Sequence, residues 1–133
     1  MNSRTVSQLT GIYQADGSLL GELRYVLGKA LGRAHCALCD ITHDRVTEKA
    51  SFKACRAALP VPLETVHLDE RSSELVDFTH GRTPCVVAHT KEGLVMLLSA
   101  SDLEDCGADV DRFRAALEGA MQDRNFIFTP SGT

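Results

Sequence analysis

The sequence predicts a single α/β domain. Segments rich in β-branched and aromatic residues, which are typical of strands, occur between segments whose apolar residues recur every three or four positions, which is typical of helices. The chain of 133 residues is also the length of one ordinary domain, and it can bury one core without disulfides or metal ions. We therefore expect residues 1–133 to fold around one core, without a second domain.

The first half of the chain is expected to hold one strand and two helices. Residues 6–13 mix β-branched and aromatic side chains and are followed by the turn-forming pair Asp16-Gly17, which predicts a strand. The apolar residues between positions 19 and 31 have helical spacing and predict a helix. Asp44 is a candidate N-cap for a second helix, which Pro60 then ends.

The second half is expected to contain a strand, a helix, a β-hairpin and a final helix. Residues 63–68 alternate imperfectly as a strand, and Asp69 can cap a helix that Gly81 closes. Residues 85–89 and 94–98 are apolar runs joined by a short turn, which predicts an antiparallel hairpin. A capping-box pattern at residues 101–104 and helical spacing over residues 110–121 predict the last helical segment.

Charge and hydrophobicity exclude several classes of partner. The formal net charge is -4 and acids and bases are interspersed, so no basic stripe is present to bind a nucleic acid backbone. The longest apolar run, residues 94–98, is far shorter than the roughly 20 residues that span a bilayer, and the first residues lack an apolar signal core. We expect a cytoplasmic protein with no nucleic acid and no membrane partner.

The cysteines suggest chemistry rather than structural disulfides. The chain has five cysteines, an odd number, and without a secretory signal the surroundings are expected to keep thiols reduced. A close pair is then better explained by redox activity or metal binding, whereas isolated cysteines are expected to pack in the core. The five are Cys36, Cys39, Cys55, Cys85 and Cys106.

The pair Cys36 and Cys39 is a candidate site of thiol–disulfide exchange or redox sensing. Two cysteines separated by two residues can close a small disulfide, and a thiolate at the start of a helix is stabilised by unpaired backbone N–H groups. Cys36 would be the nucleophile and Cys39 the resolving thiol. A protonated His35 or His43 would lower the thiol pKa, whereas Asp40 would raise it. This function needs no cofactor.

Zinc binding is the first alternative hypothesis. Cys36, Cys39 and His43 offer the sulfur and nitrogen donors that tetrahedral zinc prefers. The fourth ligand would have to come from a distant residue, and there is no second Cys-x-x-Cys pair. Candidates for this fourth ligand are His67, His80, Cys85 and His89. A second alternative is an interaction module without catalytic activity, in which the cysteines are merely buried.

Two short motifs stand out in the predicted order of elements: Cys36-Ala37-Leu38-Cys39 and, at the start of the hairpin, Thr83-Pro84. Together with that order of elements, they resemble the thioredoxin-like superfamily. The resemblance implies a three-layer sandwich with a four-stranded mixed sheet, a cis peptide bond before Pro84, and a position for Pro84 facing the cysteine pair. It also implies that Thr83 and Pro84 contact the substrate, a thiol or disulfide on a protein or small molecule.

The predicted helix over residues 19–31 is an addition to that pattern, because the superfamily places its cysteines directly after a strand. A helix of about 13 residues is roughly 20 Å long. If it ran back along the sheet, it would carry Cys36 to the end opposite Pro84. The position of Cys36 relative to Thr83-Pro84 is therefore the geometric question that decides whether the resemblance extends to mechanism.

Overall fold

A computed structural model describes residues 4–14, 36–44 and 47–129. The predicted turn at Asp16-Gly17, the predicted helix over residues 19–31 and His35 lie outside these residues. The described strands are β1 (Arg4–Ile12), β2 (His43–Asp44), β3 (Thr47–Glu48), β4 (Leu63–Val66), β5 (Cys85–Thr90), β6 (Gly93–Leu98) and β7 (Phe126–Phe128). The described helices are α1 (Ala37–Thr42), α2 (Ala50–Ala58), α3 (Ser73–Thr79), α4 (Ala100–Asp105) and α5 (Val110–Asp123), and a 3-10 turn covers Leu68–Glu70.

The main sheet is mixed and has five strands, which confirms the predicted α/β class with a mixed sheet. Four strands lie in the order β4-β1-β5-β6, and β7 pairs with the first residues of β1. β1 runs parallel to β4 and β7 and antiparallel to β5, which is in turn antiparallel to β6. We expected four strands. The fifth, β7, has only three residues, too few for an alternating pattern to show in the sequence.

Helices cover both faces of this sheet. The larger core cluster contains Val86 and Ala88 of β5 together with apolar residues of α1, α2, α4 and α5. The smaller cluster contains Cys85 and Val87 of β5 together with Leu75 of α3. Because successive side chains of a strand point to opposite faces, the two clusters lie on opposite sides of the sheet, and the domain has three layers.

A glycine in β1 lets α1 pack closely against the sheet. A Cβ atom at Gly11 would lie 3.1 Å from Cδ2 of Leu38, a side chain that is almost fully buried in the core. The absence of a side chain at Gly11 therefore leaves room for Leu38, and Leu38 fixes α1 over the end of β1. This contact places Cys39 of α1, and Cys36 directly before α1, near the carboxyl end of that strand.

The expected start of the second helix is wrong. Asp44 is not an N-cap: it belongs to β2, which pairs with β3 in a small hairpin, and α2 begins at Ala50 after the cap residue Lys49. The hairpin is held to α2 because Arg56 donates two 2.9 Å hydrogen bonds to the carboxylate of Glu48. This ion pair therefore links β3 to α2 across eight positions of the chain.

Two other helix starts also differ from the expected positions. α3 begins at Ser73 rather than after Asp69, because the Ser72 hydroxyl accepts the N–H of Leu75. α4 has its capping box at Ser99 and Asp102, two residues before the predicted one. The predicted hairpin and final helix are confirmed by β5, β6 and α5. Among the helices that the structure describes, none has the length and apolar character needed to cross a membrane.

Candidate dithiol site

The carboxyl end of β1 brings the cysteine pair and the Thr-Pro motif together. Ile12, the last residue of β1, pairs with Cys85, the first residue of β5. Two residues beyond Ile12, the backbone N–H of Gln14 donates a 3.3 Å hydrogen bond to Sγ of Cys36. The side-chain oxygen of Gln14 accepts a hydrogen bond from the Thr83 hydroxyl. Cys36 and Thr83 therefore lie at the same end of the sheet.

Cys36 is the N-cap of α1. Its backbone is extended, with φ -135° and ψ 107°, and its Sγ accepts the N–H of Cys39 at 3.3 Å. Its carbonyl oxygen accepts the N–H of Asp40 at 3.0 Å, which begins the helix. The thiol thus occupies the position that serine or aspartate commonly takes at a helix start, and both Cys36 and Cys39 are buried.

Hydrogen bonds to its sulfur lower the pKa of Cys36 from 9.0 to about 7. The largest contribution is a hydrogen bond from the Cys39 thiol, and the N–H groups of Gln14 and Cys39 add to it. Burial and the negative charge of Asp40 act in the opposite direction, the latter as expected from the sequence. About half of Cys36 is then a thiolate at pH 7, and the thiolate is the reactive form of cysteine.

The pKa values of the other three cysteines are raised, whereas that of Cys36 is lowered. Burial raises the pKa of the Cys55 and Cys106 thiols, and it raises the pKa of Cys85 to about 11. Cys85 is fully buried and lies in the smaller core cluster with Leu75. These three thiols pack in the core, as expected for isolated cysteines, and they are protonated at neutral pH.

His43 lies at the other end of α1 from Cys36. A helix of six residues is about 9 Å long, and His43 is its C-cap, where its Nδ1 is hydrogen-bonded to the Thr42 hydroxyl. Its ring contacts the edge of Tyr13, with 5.9 Å between ring centroids. The structure therefore places His43 beside Tyr13 and Thr42 rather than at the Cys36 sulfur.

The third zinc ligand expected from the sequence, His43, lies apart from Cys36 and Cys39. Within residues 4–14, 36–44 and 47–129, no three His, Cys, Asp or Glu side chains form a group that could hold a metal ion. Among the suggested fourth ligands, His67 is bonded to Glu70 and His89 to Thr10, while Cys85 lies in the core. Zinc binding stays a prediction that metal analysis of the protein can test.

Thr83 and Pro84, the residues predicted to contact substrate, lie at the start of β5, at the same end of the sheet as Cys36. Thr83 is half-buried and Pro84 is buried, and both immediately precede β5. The peptide bond between them is cis, as expected. No sequence pattern pointed to Gln14, which is bonded to both Thr83 and Cys36, because its role depends on contacts with residues 22 and 69 positions away.

A hydrogen bond between two buried hydroxyl groups links α1 to the residue that follows β1. The Tyr13 hydroxyl lies 3.0 Å from the Thr42 hydroxyl, and burial raises the pKa of Tyr13. Because Tyr13 directly precedes Gln14, this contact fixes both the last turn of α1 and the backbone that donates to Cys36. From the sequence, Tyr13 was predicted only as the last residue of a strand.

Comparison with known proteins gives no match to a family model, to a curated protein or to a solved structure.

Proposed function

We propose that this protein carries out thiol–disulfide exchange, with Cys36 as the nucleophile and Cys39 as the resolving thiol. The observation that carries the proposal is the convergence of three hydrogen-bond donors on one sulfur. The Cys39 thiol and the N–H groups of Gln14 and Cys39 all point to Sγ of Cys36. Such an arrangement stabilises a thiolate, and a thiolate near neutral pH is what nucleophilic attack on a disulfide requires.

In the proposed reaction the Cys36 thiolate attacks one sulfur of a substrate disulfide. A mixed disulfide forms between Cys36 and that sulfur, and the other substrate sulfur leaves as a thiolate. The Cys39 thiol then loses its proton to solvent and attacks Sγ of Cys36, which releases the second substrate thiolate. Two electrons pass from the dithiol to the substrate, two protons end on the released thiols, and the protein is left with a Cys36–Cys39 disulfide.

We further propose that the fold is thioredoxin-like. The support is the strand order β4-β1-β5-β6 with β5 antiparallel to its neighbours, the helices on both faces, and a cysteine pair that begins α1 at the carboxyl end of β1. β7 would be an addition at the edge of that arrangement. The proposed setting is the cytoplasm, where the thiol pool would return the pair to its reduced form.

The proposed substrate is a protein or small molecule that carries a disulfide, and Thr83 and Pro84 are the proposed residues of contact. Their support is the position of Thr83, whose hydroxyl donates to the residue that also donates to Cys36. His35 and His43 stay predicted modulators of the cysteine pKa. For His43, the distance from Cys36 along α1 makes any effect on that thiol indirect.

Redox titration tests this function. In glutathione buffers of defined potential, Cys36 and Cys39 should form a reversible disulfide with a midpoint between about -120 and -270 mV, the range of known dithiol oxidoreductases. Cys36→Ser should abolish this transition, and Cys55→Ser, which changes a thiol elsewhere in the core, should leave it unchanged. A folded protein whose pair stays reduced across all these buffers would contradict the proposal.

A further inference from the structure

Gln14 is an exposed side chain at the centre of the dithiol site. Its backbone N–H is bonded to Sγ of Cys36, so its main chain cannot move without disturbing the nucleophile. Its side-chain oxygen accepts the hydroxyl of Thr83, so the amide group is also held. Gln14 is therefore fixed at both ends between the nucleophile and the start of β5.

The orientation of the Gln14 side-chain amide determines which hydrogen bonds it can form with a ligand. A primary amide has one oxygen that accepts and one NH2 group that donates two hydrogen bonds. With the oxygen bonded to Thr83, the planar group directs its NH2 away from that hydroxyl. Among the described residues, no hydrogen bond has this NH2 group as its donor. This exposed donor therefore belongs to the residue whose backbone N–H is bonded to the sulfur at which the proposed reaction occurs.

We propose that Gln14 is a specificity-determining residue that donates a hydrogen bond to a backbone carbonyl of the substrate, and that the preferred substrates are therefore disulfides within polypeptides. This inference rests on the proposed exchange at Cys36. In a peptide disulfide a carbonyl oxygen lies only a few bonds from each sulfur, so it can reach a donor that is anchored beside Cys36. A simple dialkyl disulfide has no such acceptor.

The test compares two neutral substrates that differ in this acceptor. One is the disulfide of N-acetylcysteine methylamide, which carries backbone-like carbonyls, and the other is diethyl disulfide, which carries no hydrogen-bonding group. The measured quantity is the ratio of the two rate constants for oxidation of the reduced protein in single turnover. A ratio cancels effects on Cys36 itself, because both substrates react with the same thiolate.

Gln14→Glu keeps an oxygen for the Thr83 hydroxyl but removes the NH2 donors, and Gln14→Met removes both groups. Each should lower the ratio about fivefold or more, the usual effect of losing one hydrogen bond. Thr83→Val, which releases the amide without removing it, should lower the ratio by a smaller factor, and Thr83→Ser should restore it because serine keeps the hydroxyl. Gln14 is exposed, so these variants are expected to fold.

The outcomes separate this inference from the proposed function. If both substrates are still reduced and the ratio stays unchanged in Gln14→Glu and Gln14→Met, the role of Gln14 is refuted while exchange at Cys36 stands. If the wild-type protein oxidises with neither substrate, exchange itself fails, and the role of Gln14 fails with it. A ratio that falls in both variants, and is restored by Thr83→Ser after Thr83→Val, supports the inference.

Discussion

Removal of the Cys39 thiol should raise the pKa of Cys36 and slow its reactions at neutral pH. The pKa of Cys36 lies about two units below 9.0, which corresponds to about 3 kcal/mol of preferential stabilisation of the thiolate. The hydrogen bond from Cys39 is the largest cause of this lowering, and a hydrogen bond to a charged group contributes about 1.5–3 kcal/mol. Cys39→Ala should therefore raise the pKa by about one unit or more.

The matched variant Cys39→Ser isolates the hydrogen bond from the loss of the sulfur. A serine hydroxyl can still donate to the Cys36 thiolate, so the pKa of Cys36 should stay closer to the wild-type value. At pH 7, alkylation of Cys36 by iodoacetamide should be at least about fivefold slower in Cys39→Ala than in the wild type, since the rate follows the thiolate fraction.

The assay is the pH dependence of this alkylation, measured on Cys36 by peptide mass spectrometry with a non-thiol reductant present. The wild-type rate should reach half its maximum near pH 7 and the Cys39→Ala rate about one pH unit higher. Equal midpoints in the two proteins, or a wild-type midpoint near pH 9, would refute the assignment of Cys39 as the main donor. Cys55, Cys85 and Cys106, whose pKa values are raised, should be alkylated much more slowly than Cys36.

Three further predictions concern stability and metal content. For the reduced protein, the free energy of unfolding in urea should increase by about 2 kcal/mol more in the wild type than in Cys36→Ser between pH 7 and 9. The reason is that the unfolded thiol stays protonated until about pH 9 whereas the folded one ionises near pH 7; parallel pH profiles would contradict this. Gly11→Val should destabilise the fold by about 1–3 kcal/mol, because it overpacks the contact between β1 and α1. By contrast, Gly119→Ala in α5, where a Cβ has no neighbour within 4 Å, should increase the free energy of unfolding by up to about 1 kcal/mol. If Gly11→Val left the free energy of unfolding unchanged, the close contact between β1 and α1 would be contradicted. Protein purified with zinc present and without chelator should contain no stoichiometric metal by elemental analysis, and one equivalent lost in both Cys36→Ser and His43→Ala would instead support the zinc hypothesis over Cys36, Cys39 and His43.

The parts of the fold that sequence predicted well have strong local patterns. The β5–β6 hairpin follows from two apolar runs around a short turn, and α5 follows from fourteen residues with regular apolar spacing. The Cys36–Cys39 pair and the Thr83-Pro84 motif were recognisable for the same reason, since each is a short contiguous motif. Local patterns of this kind do not depend on what the rest of the chain does.

The parts that sequence did not predict depend on distant contacts. The β2–β3 hairpin replaces an expected helix start at Asp44, and the ion pair between Arg56 and Glu48 supports it from eight residues away. β7 is a strand only because three residues near the end of the chain pair with β1. Gln14 has no motif of its own, and its importance arises only when folding places Cys36 and Thr83 on either side of it.

His43 shows that a short separation in the sequence does not guarantee a short distance in the fold. It lies four residues after Cys39 in the sequence, a spacing that places residues on the same face of a continuous helix. α1 ends at Thr42, however, and His43 has extended backbone angles. The chain therefore turns away at this residue, and proximity in sequence does not become proximity to the Cys36 sulfur.

Covalent trapping of a substrate tests the central claim most directly, because it identifies which sulfur attacks and which one resolves. Reduced Cys39→Ser is incubated with the disulfide of N-acetylcysteine methylamide and analysed by intact-mass and peptide mass spectrometry. We predict a stable mixed disulfide on Cys36, which the wild-type protein resolves and Cys36→Ser does not form. The claim would be contradicted if Cys39→Ser formed no adduct, or if the adduct appeared on another cysteine while Cys36 stayed free.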